Sequence, residues 1–496
     1  YLFLHSASQN SNYHPSMASQ QQRKVPVAHV VRDIGGTPQQ EAMIEKAVNA
    51  LTIAPEYLEK ICQHFVEEMH KGLNKEEQTV AMIPSFVEGR LTGEEVGSFL
   101  ALDLGGTNLR VVLVELKGRG NFTTKSTKYK VSESLKTGDV KELYNFIADC
   151  IDSFLTEHNM DYEKEDIHLG YTFSFPVYQS KINRGLQKQW TKGFNCTGAI
   201  GKDPVILLQD ALAKKHVPVL VSALVNDTVG TLLSNAYSKP ETNAGIILGT
   251  GSNGAYIEKM KNIGKWTGGE TSSDEMIINM EFGAFDNERV ILPNTPWDNK
   301  LDRESINPHK QIFEKMISGM YLGEIARNVI LEFVDRQLLF KGFSSKELNT
   351  QWGFETTYMS TIEADDDANL CHTKRVLTST LNIPSVDVVD CRIVKRVCEL
   401  VGTRAARLAA AGIAGIVRQS DIVNQGCDIG IDGSLYEFYP SFEQRIEQGL
   451  QELFPDVSDV TRKLRLGLAK DGSGVGAALC ACVAKKMAEN RSTQFA

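Results

Sequence analysis

The chain has 496 residues, 42% apolar and 23% charged, the make-up of an ordinary soluble globular protein with two to four domain-sized units. A net charge of −9 argues against a general nucleic-acid binder, and no apolar run approaches the roughly 20 residues that span a bilayer, so no membrane segment is expected. The nine cysteines are scattered through apolar contexts, without a CxxC pair or a His/Cys cluster at zinc spacing, and read as buried, reduced thiols of a cytoplasmic protein.

In chain order, residues 1–36 read as a flexible tail, with Met17-Ala-Ser19 as the natural start and no signal-peptide pattern. Residues 38–72 read as helical: Pro55 suits a first helical position, and Leu58, Ile61, Cys62, Phe65, Val66 and Met69 follow at helical spacing. Residues 97–177 are β-rich, with a helix near 140–155. They open on SFLALDLGGTNLRVVLVELKG, where aliphatic runs flank Asp103-Leu-Gly-Gly-Thr-Asn-Leu-Arg110. A P-loop would need GxxxxGK[ST] leading into a helix, and the chain has no such string. Val111–Val114 are β-branched or aliphatic, so this element is a strand, a Gly-Gly-Thr turn and a second strand, a hairpin whose tip suits an anion.

A second alternation starts at the strand VPVLVSALV, continues through Asn226-Asp227, and enters a helix over 228–236. The hairpin then repeats about 145 residues after the first as AGIILGTGSNGAYI at 244–257, and a third segment, CDIGIDGSLY at 427–436, is expected to have the same shape. Helical patterns cover 311–339 and 389–417. The acidic run EADDD at 363–367 reads as a solvated loop or helix cap. Two GxGxxG strings fail as dinucleotide fingerprints. Gly249-Thr-Gly-Ser-Asn-Gly254 continues as strand, and Gly472-Ser-Gly-Val-Gly-Ala477 lies too near residue 496 for a following strand with its ribose acid.

Taken singly, the polar candidates stay open. Asp227 suits an N-cap as well as a cleft at a strand end. Asp103 at an apolar strand end is harder to explain as structure, because a buried unpaired carboxylate is costly. Glu281 and Glu314 are lone acids beside bulky apolar residues, and Thr191-Lys192 is a polar pair between Trp190 and Phe194.

Together, LALDLGGTNLRVVLVEL, LGYTFSFPV, QWTKGFN, LVNDTVGTL, LGTGSNGAYIE, MEFGAFD, QIFEKMISGMYLGE and GLAKDGSGVGAAL resemble the hexokinase family, in that family's order from about residue 90 to 485. The resemblance is strongest to the fungal hexokinase/glucokinase branch. It implies an α/β, actin-like ATPase fold (a duplicated ribonuclease H-like unit) with two lobes and a cleft between them. The expected large lobe is 37–89 and 226–483, and the small lobe 90–225 and 484–496.

It further implies ATP-dependent phosphorylation of D-glucose or other hexoses at the 6-hydroxyl, with Mg²⁺, as the first step of glycolysis in a cytoplasmic monomer or weak homodimer. Carried over motif by motif, Asp227 is the base. Ser174, Thr191, Lys192, Asn226, Asn253, Glu281 and Glu314 contact the sugar. Asp103, Gly105, Gly106, Thr107, Asn108 and Arg110 form the first phosphate loop, with Asp103 reaching the metal through water. Gly249, Thr250 and Gly251 form the second loop, and Gly433-Ser434 and Gly472-Ser473 lie near the ribose and adenine end. The alternative is a sugar-sensing regulator of the same family that binds without catalysis. Loss of the base or of the Asp103 loop would favour it, and both are intact.

Overall fold

A computed structural model describes residues 34–158, 167–191, 193–469 and 471–494; most of the expected tail, and Lys192, lie outside the described residues. In chain order the strands are β1 (Ile83–Glu88), β2 (Val96–Leu104), β3 (Asn108–Lys117), β4 (Phe122–Lys130), β5 (Ile167–Phe173), β6 (Val177–Lys181), β7 (Arg184–Gln187), β8 (Val219–Val225), β9 (Thr242–Leu248), β10 (Ser252–Lys259), β11 (Glu275–Asn279), β12 (Cys427–Asp432) and β13 (Leu464–Leu468).

Two main sheets repeat one topology. In the first, the order is β4-β3-β2-β5-β8: β2, β3 and β4 form an antiparallel meander, and β5 and β8 add in parallel beyond β2. In the second, β9, β10 and β11 form the meander, β12 and β13 add in parallel beyond β9, and β1 closes the far edge against β11. The repeat is the expected two-lobed actin-like ATPase architecture. It places the tips of the β2–β3 and β9–β10 hairpins at corresponding points of the two lobes.

Each lobe has its own core. The first sheet packs against the helices Val140–Glu157 and Pro204–Lys214, and the second lies over helices that include Pro55–Asn74 and Val388–Ser420. The Val388–Ser420 helix is long and apolar enough to cross a bilayer, but it is almost wholly buried inside the larger core. A third apolar cluster joins the lobes, built on the helices Asp227–Ser238 and Ala477–Gln494. Its closest approach requires glycine: a Cβ on Gly230 would stand 2.3 Å from the Gly472 carbonyl oxygen, and one on Gly476 would stand 2.0 Å from the Gly230 oxygen. The Ala477–Gln494 helix packs on β2, β5 and β8, and the expected lobe boundary at 483/484 falls inside it.

Several expectations need correction. Residues 38–72 form two helices, Pro38–Leu51 and Pro55–Asn74, because Ala54 before Pro55 is held extended at ψ 152°. The pattern over 311–339 is broken at Ser318, between Ile312–Ile317 and Gly319–Asp335. The break has a use, since the freed Gly319 and Met320 N–H groups donate to the carbonyls of Gly249 and Thr250 at 2.8 and 3.1 Å. The expected third hairpin is instead a strand followed by a helix: Gly433, at φ 122°, turns β12 into Ser434–Phe438. Within EADDD, Glu363 and Asp365 are buried. Glu363 pairs with Arg445 at 2.6 Å, and Asp365 accepts from Thr373 N and Oγ1 at 2.7 and 2.8 Å. All nine thiols are free and eight are buried, with Cys371 exposed.

Candidate active site

Between the sheets lies a cavity of about 710 Å³, and Ser174, Thr191, Asn226, Asp227, Asn253, Glu281 and Glu314 all line it. They come from chain segments up to 140 residues apart, and the fold gives each a local reason to be there. Ser174 follows β5. Thr191 sits on a loop pinned by aromatic packing: Trp190 stacks on Phe194 with centroids 5.4 Å apart and planes at 20°, and Trp190 Nε1 donates to the Cys196 carbonyl at 2.9 Å. The aromatic pair holds the loop, which leaves Thr191 facing the cavity.

Asn226 and Asp227 end β8 and start the Asp227–Ser238 helix. Here the structure separates the cap from the acid. Asn226 is the N-cap, its Oδ1 accepting from Thr228 N at 2.9 Å and Thr228 Oγ1 at 2.5 Å. Asp227 is therefore the first helical residue, with Oδ1 also 2.9 Å from Thr228 N.

The large-lobe wall is a network of amides and carboxylates. Asn279 Nδ2 donates to Glu281 Oε1 at 2.8 Å, and Asn253 Nδ2 donates to Asn279 Oδ1 at 2.9 Å and to Glu281 Oε1 at 3.3 Å. Glu281 is in the left-handed region, at φ 55°, a conformation sparsely populated by residues with a Cβ. Burial pushes its carboxyl above the usual glutamate range. The Asn279 bond opposes that shift, and the negative charge of Asp227 adds to it. Glu314, on Ile312–Ile317, is also pushed up by burial, opposed by the Ser252 N–H that donates to its Oε2 at 3.0 Å. Gly251 leaves room for that bond, since a Cβ there would stand 2.8 Å from Glu314 Oε2.

The two hairpin tips open beside this wall. At the first, Gly105 N donates to the Asn108 carbonyl at 3.0 Å, and Gly106, Thr107 and Asn108 form the partly or fully exposed turn. Asp103 and Arg110 face each other across the β2–β3 ladder, with Arg110 Nη2 3.9 Å from Asp103 Oδ2. The same Nη2 donates to Asp471 and, at 3.0 Å, to Ser473 Oγ. This puts Gly472-Ser473 against the first tip. At the second tip, Gly249 N donates to the Gly251 carbonyl at 3.0 Å, and Thr250 and Gly251 line the cavity. Gly433-Ser434 abuts this tip: a Cβ on Gly433 would stand 2.4 Å from the Leu248 carbonyl oxygen.

Sequence reading passed over Asn279, Gln311, Gln179 and Lys188, which also line the cavity. For Asn279 a signal existed: it stands two residues before Glu281, a spacing that in extended chain puts both on one face. Gln311 carried none, because its position depends on a left-handed turn at φ 55°.

Two family models, both described as Hexokinase, match residues 43–237 and 243–483. The chain is 42% identical to a hexokinase of Kluyveromyces lactis over 88% of this chain and 90% of that protein. It is 40% identical to hexokinase-1 of Saccharomyces cerevisiae, over 90% and 93%. A glucokinase of Aspergillus niger is 42% identical, over 87% and 94%. Among solved structures, a hexokinase of Schistosoma mansoni in complex with glucose superposes with a TM-score of 0.78 at 37% identity, covering 90% of this chain and 99% of that one. Duplicated sheets, paired hairpin tips and these matches along nearly the whole chain converge on one assignment: the chain belongs to the hexokinase family.

Proposed function

We propose that this chain transfers the γ-phosphoryl group of ATP to the 6-hydroxyl of D-glucose, giving glucose 6-phosphate and ADP, and accepts related hexoses. The observation that carries the reading is the single cavity that joins Asp227, the amide–carboxylate wall and the Thr250 tip. A monosaccharide presents hydroxyls that both donate and accept, and Asn226, Asn253, Glu281, Glu314, Ser174 and Thr191 supply the complementary partners. Hexokinase and glucokinase relatives, and a neighbour solved with glucose, support the same substrate.

Asp227 is the base. Its carboxylate orients the 6-hydroxyl and accepts the proton late, as phosphoryl transfer makes little demand for early deprotonation. The N–H groups of the two tips and the Arg110 guanidinium hold the transferring and leaving phosphates, so most of the acceleration comes from position and charge stabilisation. Ser434 and Ser473 flank the tips toward the nucleoside.

The donor set suits Mg²⁺ delivered with ATP. Among the described residues there is no cluster of three His, Cys, Asp or Glu side chains able to hold a metal, and a small hard cation that keeps its waters and phosphate oxygens needs one nearby carboxylate, for which half-exposed Asp103 serves. When bound, the cation would neutralise charge on the phosphate oxygens. Sugar held by Ser174 and Thr191 on one lobe and Glu281 and Glu314 on the other binds a closed form better than an open one, and closure keeps water from competing. The reading extends to the first step of glycolysis in the cytoplasm, where nine free thiols suit a reducing compartment.

The regulator alternative fits less well, because a pure sugar sensor has no use for the paired tips and Arg110. ADP release measured against glucose, fructose, mannose, galactose and glucosamine tests the proposal. Hexose-dependent turnover is expected. Sugar binding without turnover on any of the five would transfer the assignment to the regulator.

A further inference from the structure

Asn279 is 7% exposed, at the end of β11, with its backbone fixed between Ile83 of β1 and Ala255 of β10. Its amide meets Glu281, two residues on, and two segments farther away in the chain. Oδ1 accepts from Asn253 Nδ2 at 2.9 Å and lies 3.5 Å from Thr228 Oγ1, and Nδ2 donates to Glu281 Oε1 at 2.8 Å. Two further bonds settle which way Asn253 points, since its Oδ1 accepts from Gly254 N at 2.7 Å and Phe282 N at 3.4 Å. The Asn253 oxygen is therefore saturated by backbone, and its NH₂ group is directed to Asn279 Oδ1 and Glu281 Oε1. Glu281 Oε1 is likewise occupied by two amide donors, which leaves Oε2 as its open acceptor.

We propose that Asn279 is the positioning residue that orients the Glu281 carboxylate in the sugar wall. It occupies Glu281 Oε1 and so leaves Oε2 as one oriented acceptor oxygen, and it ties the Asn253 amide into the same ladder. The inference rests on the hexose-kinase reading and deepens it. Asn279 itself touches neither the phosphates nor the reacting hydroxyl. Its contribution is to hold two sugar partners in a single hydrogen-bonding sense before sugar arrives, so the sugar orders fewer groups on binding. With Asn279 in place, the ladder has one consistent direction, from Asn253 through Asn279 to Glu281.

Asn279→Asp reverses one link without changing shape. The new carboxylate would still accept from Asn253 but would face Glu281 Oε1 with an oxygen. Two carboxylates at that distance cannot both stay ionised at modest cost, so the pair takes up a proton at a pH well above the usual carboxylate range. The groups facing Glu281 are Asp227 on its helix and Glu314 on Ile312–Ile317, both negative and adding to this rise, together with the neutral Asn253 amide. Lys188 lines the same cavity from the small lobe. A pair carrying one proton has the charge of the wild-type Glu281–Asn279 pair and can remake the missing bond. A fully ionised pair cannot.

The test is glucose KM and kcat for wild type, Asn279→Asp and Asn279→Ala between pH 8.5 and 6, with melting temperature and MgATP KM as controls. At pH 8.5 both variants should show glucose KM raised by about ten- to hundred-fold, the range for a lost hydrogen bond to a charged group, with kcat at saturating sugar and MgATP KM within about three-fold. As pH falls, KM should drop toward wild type for Asn279→Asp and stay high for Asn279→Ala. Wild-type KM should stay level or rise. A KM of Asn279→Asp that is unchanged from wild type, or that fails to recover at low pH, overturns the inference. Equal falls in kcat and in affinity for both substrates would make Asn279 a fold residue and overturn it too. Failure of the wild type to phosphorylate any hexose is a separate result, and would count against the kinase reading instead.

Discussion

Asp227→Asn separates the two jobs that an acid at a helix start can perform. The replacement is isosteric, and its Oδ1 can still accept from Thr228 N, as Asp227 does at 2.9 Å. The N-cap is Asn226 and is untouched, so the ~1 kcal/mol that a lost cap would cost is not at stake. What the fold loses is one negative charge in the first turn of the helix, worth about 0.3–1 kcal/mol. That loss is partly offset because the charge of Asp227 raises the Glu281 pKa. Unfolding free energy should therefore fall by less than about 1 kcal/mol. A missing general base slows the chemical step by about 10²–10⁴-fold, or roughly 3–5 kcal/mol of barrier. Thermal melts, glucose titration by tryptophan fluorescence and single-turnover phosphoryl transfer measure the three quantities on one preparation. The expected pattern is near-normal melting, glucose affinity within about ten-fold, and collapsed turnover. Turnover within ten-fold of wild type, or a stability loss large enough to explain the drop, would refute the assignment of Asp227 as the base.

Arg110→Ala strips Asp471, Ser473 and Asp103 of their shared partner, so MgATP KM should rise about ten-fold or more while glucose affinity without nucleotide stays within about two-fold. Steady-state kinetics and fluorescence titration decide it, and an equal loss of glucose affinity would give Arg110 a purely structural part. Gly251→Ala places a Cβ 2.8 Å from Glu314 Oε2 and should drive that carboxylate off Ser252 N, raising glucose KM by about ten-fold in steady-state kinetics. Glu281→Gln tests the raised carboxyl. An acid whose folded pKa lies above its unfolded value of about 4.3 stabilises the fold fully only below that value, and the contribution is lost as pH rises through the folded pKa. The variant should therefore melt higher than wild type at pH 7, lose that advantage near pH 4, and bind glucose at least about ten-fold more weakly. For wild type, glucose KM should rise as pH falls, with an inflection above the ordinary glutamate range.

The hairpin echo was the most informative feature of the chain, because β-branched runs on either side of Gly-Thr turns specify strand, tip, strand with little help from tertiary context. That pattern put Asp103, Arg110, Thr250 and Gly251 at or beside the tips, while their roles came from the family resemblance. The same reasoning failed at residues 427–436, where Gly433 leads into a helix instead of a second strand. A Gly-Ser turn has no local preference between the two, and packing of Gly433 on Leu248 decides. Ser318 was invisible as a break because its extended backbone is maintained by long-range bonds from Gly319 and Met320 to the β9–β10 tip. Glu363 and Asp365 looked solvated for a similar reason, their partners Arg445 and Thr373 being unknowable from a run of acids. Asn279 was missed although its spacing from Glu281 was on view, because its contacts with Asn253 and Thr228 come from distant segments that a lone asparagine at a strand end does not announce.

The central claim is that the cavity joining Asp227 to the Thr250 tip is where the γ-phosphoryl group passes to a sugar hydroxyl. Real-time ³¹P NMR of the full chain with MgATP and D-glucose tests it most directly. The expected result is loss of the γ-phosphate resonance matched one for one by glucose 6-phosphate, with inorganic phosphate slower by several orders of magnitude. Glucose bound in a fluorescence titration while the γ-phosphate resonance persists, or disappears into inorganic phosphate alone, would contradict it.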